Sequence, residues 1–309
     1  MTKKRILIEL PTWLGDCVMA TPAIENIVNY YKDVQITFIG SKISTQTMKY
    51  HPKAKDIQIL EKNTSDIKKI KKSFDAFFSF RSSFRSRLLK FFSRSDNKYQ
   101  FRKKKYDYGH QVEKYNNFVN ESLSIDYKPG SLKIYKRTES HYQKSPKPLV
   151  GINPGASYGS AKRWSTTGYS EVAKVLAKEY DILIFGGPNE LDIAMEIEDE
   201  LNRLKISNYH NLAGKTDIDE LIDSVSNLSL FITGDSGPMH IAAAFQIPTV
   251  AIFGPTRDNE TSQWMNARHL IVKKNLECQP CMKRPCPLGH HNCMNLISPR
   301  DVLEAVREL

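Results

Sequence analysis

Short apolar runs alternate with amphipathic ones in two separate series along this chain, and that alternation leaves little choice of architecture. The first series runs Arg5 to Leu10, Cys17 to Tyr31, Val34 to Gly40, Ser44 to Tyr50, Asp56 to Leu60, Ser65 to Lys72 and Asp75 to Phe80, strand and helix by turns. Phe84 to Phe92 and Gly109 to Leu123 read as helices, while the charged, aromatic stretch between them shows no clear period. Strands separated by helices must run parallel with right-handed crossovers. A second series follows, with strands at Leu149 to Asn153, Asp181 to Phe185, Leu230 to Thr233 and Thr249 to Phe253. Its helices fall near Thr167 to Lys178, Glu190 to Leu204, Ile218 to Val225 and Pro238 to Phe245. Between the series, residues 136–148 have almost no apolar content and two prolines, the composition of a linker. The expectation is α/β: two Rossmann-like domains, 1–140 and 149–309, facing across a cleft, with the last helix able to pack back on the first.

The formal charge of +11 is unevenly placed. Residues 62–105 hold 15 Lys and Arg against three Asp, a local +12 that leaves the rest of the chain at −1. Such a segment suits an anionic partner (lipid phosphates, acidic sugars or nucleic acid), or is a solvated lysine-rich face. Phe74, Phe77, Phe78, Phe80, Phe84, Phe91 and Phe92 are interleaved with these cations. Base stacking would use them, but their strand and helix spacing favours core packing. The chain enters its first strand within a few residues of Met1 and holds no apolar run near the roughly 20 residues that cross a bilayer. A cytoplasmic location is expected.

The loops after the strands carry the chemistry. Gly234-Asp235-Ser236-Gly237-Pro238-Met239-His240 follows an apolar strand and opens a helix. A turn of that kind presents free N–H groups and a positive dipole end to a phosphate or diphosphate. Asp235 would repel phosphates, so its expected partners are sugar hydroxyls, and the ligand is then a nucleotide sugar. Asn153 to Trp164 is a Gly- and Ser-rich loop in which Ser157 and Lys162 can meet a departing diphosphate, or it is a solvent loop with incidental charge. Gly186-Gly187 could pass under a nucleoside and Thr256 could touch a ligand, although ordinary turns explain both. In the first domain, Asp16 lies just after Pro11-Thr12-Trp13-Leu14-Gly15, either as a helix cap or as a general base facing the cleft. Arg81, Arg85 and Arg87 follow a strand end and are candidates for gripping an acidic acceptor. His110 opens a helix, with capping and acceptor contact both open.

Cys278 and Cys281 have CxxC spacing, with His290 and His291 nearby, but Cys286 and Cys293 are separated by six residues, so a closed structural zinc site at the four cysteines is an open alternative that the spacing does not indicate. Reduced thiols in a compact loop are expected, with no metal required. Cys17 reads as a small core residue.

Taken together, Leu14-Gly15-Asp16, Asn153-Pro154-Gly155-Ala156-Ser157 with Lys162-Arg163-Trp164, the Gly234 to His240 turn and Phe253-Gly254-Pro255-Thr256 resemble the motifs of the ADP-heptose:lipopolysaccharide heptosyltransferases of glycosyltransferase family nine. The tail Cys278 to Met294 looks most like the heptosyltransferase II branch. The resemblance implies a GT-B fold and an inverting, metal-independent transfer from ADP-heptose to the first heptose of the lipopolysaccharide inner core. Asp16 would be the base and Lys162, with Ser157, the stabiliser of leaving ADP. Asp235, Ser236, Gly237, Pro238, Met239, His240, Gly186 and Thr256 would hold the donor, and Arg81, Arg85, Arg87, His110 and the basic residues 103–105 the acceptor. It further implies peripheral contact with the cytoplasmic face of the inner membrane and no nucleic-acid partner. The alternatives are heptosyltransferase I acting on Kdo-lipid A, a basic nucleic-acid-binding module, and a silent sugar-nucleotide sensor.

Overall fold

The computed structural model describes residues 3–60, 72–137 and 146–309, and the chain divides after Arg137 into two compact units. The expected helix within residues 65–72 falls, but for Lys72, outside the described residues.

The first unit contains β1 (Lys4–Glu9), α1 (Leu14–Met19), α2 (Thr21–Tyr31), β2 (Val34–Gly40), α3 (Lys42–Thr47), β3 (Ala54–Ile59), β4 (Ser73–Ser79), α4 (Phe84–Phe92), β5 (Arg94–Gln100) and α5 (Gln111–Leu123). Its five strands form one parallel sheet in the order β3-β2-β1-β4-β5. Period-2 alternation explains why both faces are covered: Ile6 and Ile8 point into one buried cluster with Phe38, Phe78 and Phe118, and Leu7 into another with Ile39 and Phe77. The single helix expected from Cys17 to Tyr31 is two. Pro22 has no N–H to continue the ladder, and the Thr21 hydroxyl donates instead to the Val18 carbonyl at 2.7 Å.

β5 was illegible in the sequence. Its residues, Arg-Ser-Asp-Asn-Lys-Tyr-Gln, are partly or wholly exposed, because it is the sheet's edge and needs no apolar face. The phenylalanines also divide: Phe74, Phe77, Phe78 and Phe80 are buried as expected, but Phe84, Phe91 and Phe92 are exposed, at 65%, 75% and 61%. The core reading of those three is corrected, since α4 turns only Ser86 and Leu89 fully inward.

The second unit contains β6 (Leu149–Asn153), α6 (Thr166–Leu176), β7 (Asp181–Ile184), α7 (Leu191–Arg203), β8 (Tyr209–Asn211), α8 (Ile218–Ser226), β9 (Leu230–Gly234), α9 (Gly237–Ala244), β10 (Thr249–Ile252), α10 (Asp258–Thr261), β11 (His269–Val272), α11 (Asn292–Asn295) and α12 (Pro299–Arg307). The sheet is parallel and six-stranded, ordered β11-β10-β9-β6-β7-β8. Its main core joins Val150, Ile152, Ile184 and Ile232 to Val302 and Ala305 of α12. That last helix, for which packing on the first domain was open, packs on α6 and β11 of its own unit. Both units are doubly wound. Strand order reverses between β1 and β4 in the first and between β6 and β9 in the second, and ligands of such sheets bind beyond the carboxyl ends of those strands.

Candidate active site

At the reversal point of the second unit, Asn153 closes β6 and is 4% exposed. Its Nδ2 donates to Ser236 Oγ at 3.1 Å, and the hydroxyls of Thr233 and Ser236 lie 3.0 Å apart. Ser236 is the N-cap of α9, yet its side chain makes no cap bond to that helix. The first turn of α9 thus lacks the side-chain acceptor a serine cap normally supplies, and Pro238 has no N–H to satisfy. An anion completes such a helix start.

Beside it stands a charge pair that binds two expected residues to each other. Lys162 Nζ donates to Asp235 Oδ2 at 2.5 Å and to the Asp235 carbonyl at 3.2 Å. Both side chains are close to nine-tenths buried or more, so the pair survives only because each charge is answered. Thr256 Oγ1 adds a bond to Asp235 Oδ2 at 2.6 Å, and Thr261 reaches the other oxygen at 3.4 Å. The Tyr158 ring lies 4.8 Å from Lys162 Nζ and carries Arg284 on it as well, at 5.5 Å. Ser157 is exposed in the same loop, and Gly186 lies half-buried in the loop after β7.

Glu190 was missed. It reads as the start of a helix, but it is 6% exposed and its Oε2 accepts the Gly187 N–H at 2.8 Å. Its carboxylate lies against Gly155, where an added Cβ would come within 2.2 Å of Glu190 Cδ, so a side chain there would have to displace it. A buried carboxylate between the ends of β6 and β7 is well placed to accept from ribose hydroxyls. The capping pattern in Gly187-Pro188-Asn189-Glu190 disguised it.

The tail braces this loop. Ala161 N–H donates to the Arg284 carbonyl at 2.8 Å, His291 Nε2 lies 2.8 Å from the Ala161 carbonyl, and Trp164 Nε1 donates to the Ile297 carbonyl at 2.9 Å. Cys278, Cys281, Cys286 and Cys293 are free thiols around a cavity of about 20 Å³. Backbone N–H groups of residues 288–291 face Cys286 and draw its thiol down, while burial pushes the Cys293 thiol up to about 11. Among the described residues no three His, Cys, Asp or Glu side chains are grouped as metal ligands.

In the first unit, Asp16 sits in the first turn of α1, half-buried, beyond the end of β1. Its charge reaches Cys17 and Tyr115, where burial first and Asp16 second raise both groups. Cys17 itself is fully buried in the core. A second missed carboxylate, Glu9, ends β1 at 2% exposure and accepts from Ser79 Oγ at 2.5 Å and Ser86 Oγ at 2.9 Å. Arg81 Nη1 lies 3.5 Å from it, with Arg85 near enough for its charge to be felt. Burial pushes the Glu9 carboxyl up, against the downward pull of those partners. Arg87 does not join them; it lies over the Phe84 ring at 5.3 Å on the exposed side of α4. His110 is 4% exposed and its Nδ1 accepts the Val112 N–H at 3.2 Å, so of its two open roles the structure displays the cap.

The profile of glycosyltransferase family 9 (heptosyltransferase) matches residues 68–292, well over half the chain. The chain belongs to glycosyltransferase family 9. As a family 9 heptosyltransferase it is a glycosyl-transferring enzyme. It is 40% identical to the lipooligosaccharide heptosyltransferase 2 of Campylobacter jejuni serotype O:2, over 99% of this chain and 98% of that one. The Haemophilus ducreyi lipooligosaccharide heptosyltransferase 2 is 26% identical over 99% of both. Among solved structures, Escherichia coli ADP-heptose heptosyltransferase II superposes with a TM-score of 0.82 at 21% identity, covering 98% of each chain. An Escherichia coli heptosyltransferase solved with ADP gives 0.76 at 13% identity, covering 98% of this chain and 99% of that one. The expected GT-B class and the type II branch of the heptosyltransferases are both met.

Proposed function

We propose that this heptosyltransferase moves L-glycero-D-manno-heptose from ADP-heptose to the first heptose of the lipopolysaccharide inner core, with inversion and without a metal ion. The observation that carries the donor assignment is the Lys162 ammonium held beside an α9 N-terminus that its own cap residue leaves open. A cation and a row of N–H groups match a diphosphate and stabilise charge as it develops on leaving ADP. Ser157 lies in the same loop. Asp235 answers Lys162 in the absence of donor and accepts heptose hydroxyls in its presence, aided by Thr256. Glu190 holds the ribose, with Gly186 beneath the nucleoside.

Inversion needs one base on the acceptor side. Asp16, half-buried at the carboxyl edge of its sheet, takes the proton from the acceptor hydroxyl as that oxygen attacks the anomeric carbon and ADP departs. Arg81 and Arg85 meet acidic groups of the acceptor, with Glu9 fixing Arg81. The acceptor is lipid-linked, so the enzyme works at the cytoplasmic face of the inner membrane as a peripheral protein; among the described residues no helix is long and apolar enough to cross it.

The test is mass spectrometry of the lipopolysaccharide core from a strain lacking this chain, together with transfer by the purified protein. A core ending after one heptose is expected. A core ending at Kdo would make the enzyme heptosyltransferase I instead. RNA binding at physiological salt with no turnover of ADP-heptose would reject transfer altogether.

A further inference from the structure

Helix α4 exposes what a soluble surface normally hides. Phe84, Arg87 and Phe91 follow one another at three- and four-residue spacing on its outer side, and Phe92 stands beside Phe91 with the rings edge to face at 5.2 Å. Three exposed phenylalanines in nine residues is not the pattern of a solvated helix face.

The next feature along the chain is concave and basic. A pocket of about 340 Å³ opens where the end of α4, the edge strand β5, the turn after it and α5 meet. Lys90, Lys98, Arg102 and Lys105 line it against a single carboxylate, Glu121, which pairs with Lys105. Three cations therefore face the cavity beyond that pair. Lys98 Nζ also donates to the Phe91 carbonyl at 3.2 Å, which ties the pocket to the end of the helix that carries the aromatic rings. Burial first, and then the charges of Arg102 and Lys98, draw the Lys90 ammonium below its usual range.

Aromatic side chains next to a cationic hollow match an anionic bilayer in both respects. Phenyl rings enter the boundary between headgroups and acyl chains, and Lys and Arg lie at the level of the phosphates. We propose that α4 and the pocket beside it form the surface by which this protein docks on an anionic phospholipid bilayer, with Phe91 and Phe92 inserting and Lys90, Lys98 and Arg102 taking a headgroup phosphate. The proposal rests on the peripheral-membrane part of the function above and supplies its surface. The five residues that insert or take the phosphate, Phe91, Phe92, Lys90, Lys98 and Arg102, are distinct from those assigned to donor, base or acceptor. It also gives a role to the phenylalanines that packing does not use.

Flotation of the full chain with phosphatidylcholine vesicles, with and without phosphatidylglycerol, tests it. The wild type is expected to float with the anionic vesicles and to be released by salt. The double substitutions Phe91→Ser with Phe92→Ser, and Lys90→Glu with Arg102→Glu, should each weaken that binding by at least about tenfold. Transfer to a delipidated, water-soluble core acceptor should stay within about twofold of wild type in both, which also shows that the variants fold. Phe91→Trp gives an independent reading: its emission should shift to the blue on adding anionic vesicles. Anionic vesicles that bind both double variants as they bind the wild type, or a Phe91→Trp emission that does not move, would overturn the surface. So would RNA binding lost with the charge reversals and kept with the serines. Transfer without vesicle binding overturns this proposal alone, whereas vesicle binding without transfer overturns the assigned reaction and leaves the surface standing.

Discussion

Lys162 and Asp235 are 73 positions apart in the chain and are assigned opposite tasks, one on phosphate and one on sugar, yet here they hold each other. Removing one strands the other in a largely buried place, so substitution reports both on catalysis and on the cost of an unanswered charge. Lys162→Ala is expected to lower kcat by about 10²–10³, the usual loss when one donor to a developing negative charge is deleted. Turnover at saturating donor equal to wild type would remove Lys162 from the leaving-group role. Asp16→Ala should abolish transfer and leave ADP-heptose binding measurable by calorimetry; loss of donor binding in that variant would contradict its assignment as base. The loop residues were readable in the sequence because short motifs between a strand and a helix state their own geometry. Glu190 and Glu9 were not, since only the packing of neighbouring strand ends shows that these carboxylates are buried.

Helix starts and strand edges separate what local pattern reveals from what it leaves out. At α5, Gly109 takes φ +86°, His110 caps, and Glu113 Oε2 accepts the His110 N–H at 2.7 Å, a complete capping box. His110→Ala should therefore cost about 0.5–2 kcal/mol of stability. His110→Asn keeps a capping side chain and should recover most of that loss in thermal denaturation. An acceptor KM raised in the Asn variant despite recovered stability would restore the acceptor-contact role. Helices with strong periodicity, such as α4 and α8, lie within a residue or two of where their patterns put them. Edge strand β5 and the short β8 lack that signal, because an edge needs partners more than an apolar face, and β11, though apolar, is only four residues long.

At the scale of the whole molecule, charge sets two further expectations. Burial raises Glu25, but its hydrogen bond and ion pair with His51, helped by Lys133, outweigh it and hold the carboxyl low. The Arg5 backbone N–H holds Asp75 low, and the Lys274 side chain does the same for Asp301. Groups lowered in the native state contribute stability above their unfolded values and lose it as pH falls through the native ones. Glu9 is raised and works the other way: its contribution is complete at low pH and is lost as pH rises through its native value. The lowered carboxylates outnumber it, so Tm should fall between about pH 5 and pH 3. A calorimetric Tm that holds or rises over that interval would contradict these assignments. Salt should raise the acceptor KM more than the donor KM, since the +12 of residues 62–105 lies outside the donor unit. Equal responses would argue against charge-guided docking of the acceptor. From its residues alone this chain is committed to two parallel α/β units with ligand loops at the strand ends, because hydrophobic period and turn chemistry act over a few residues. Which side chains pair across 73 positions, which phenylalanines face water and which carboxylates are buried were settled only by the stacking of sheets and helices, because burial and partnership are properties of neighbours in space.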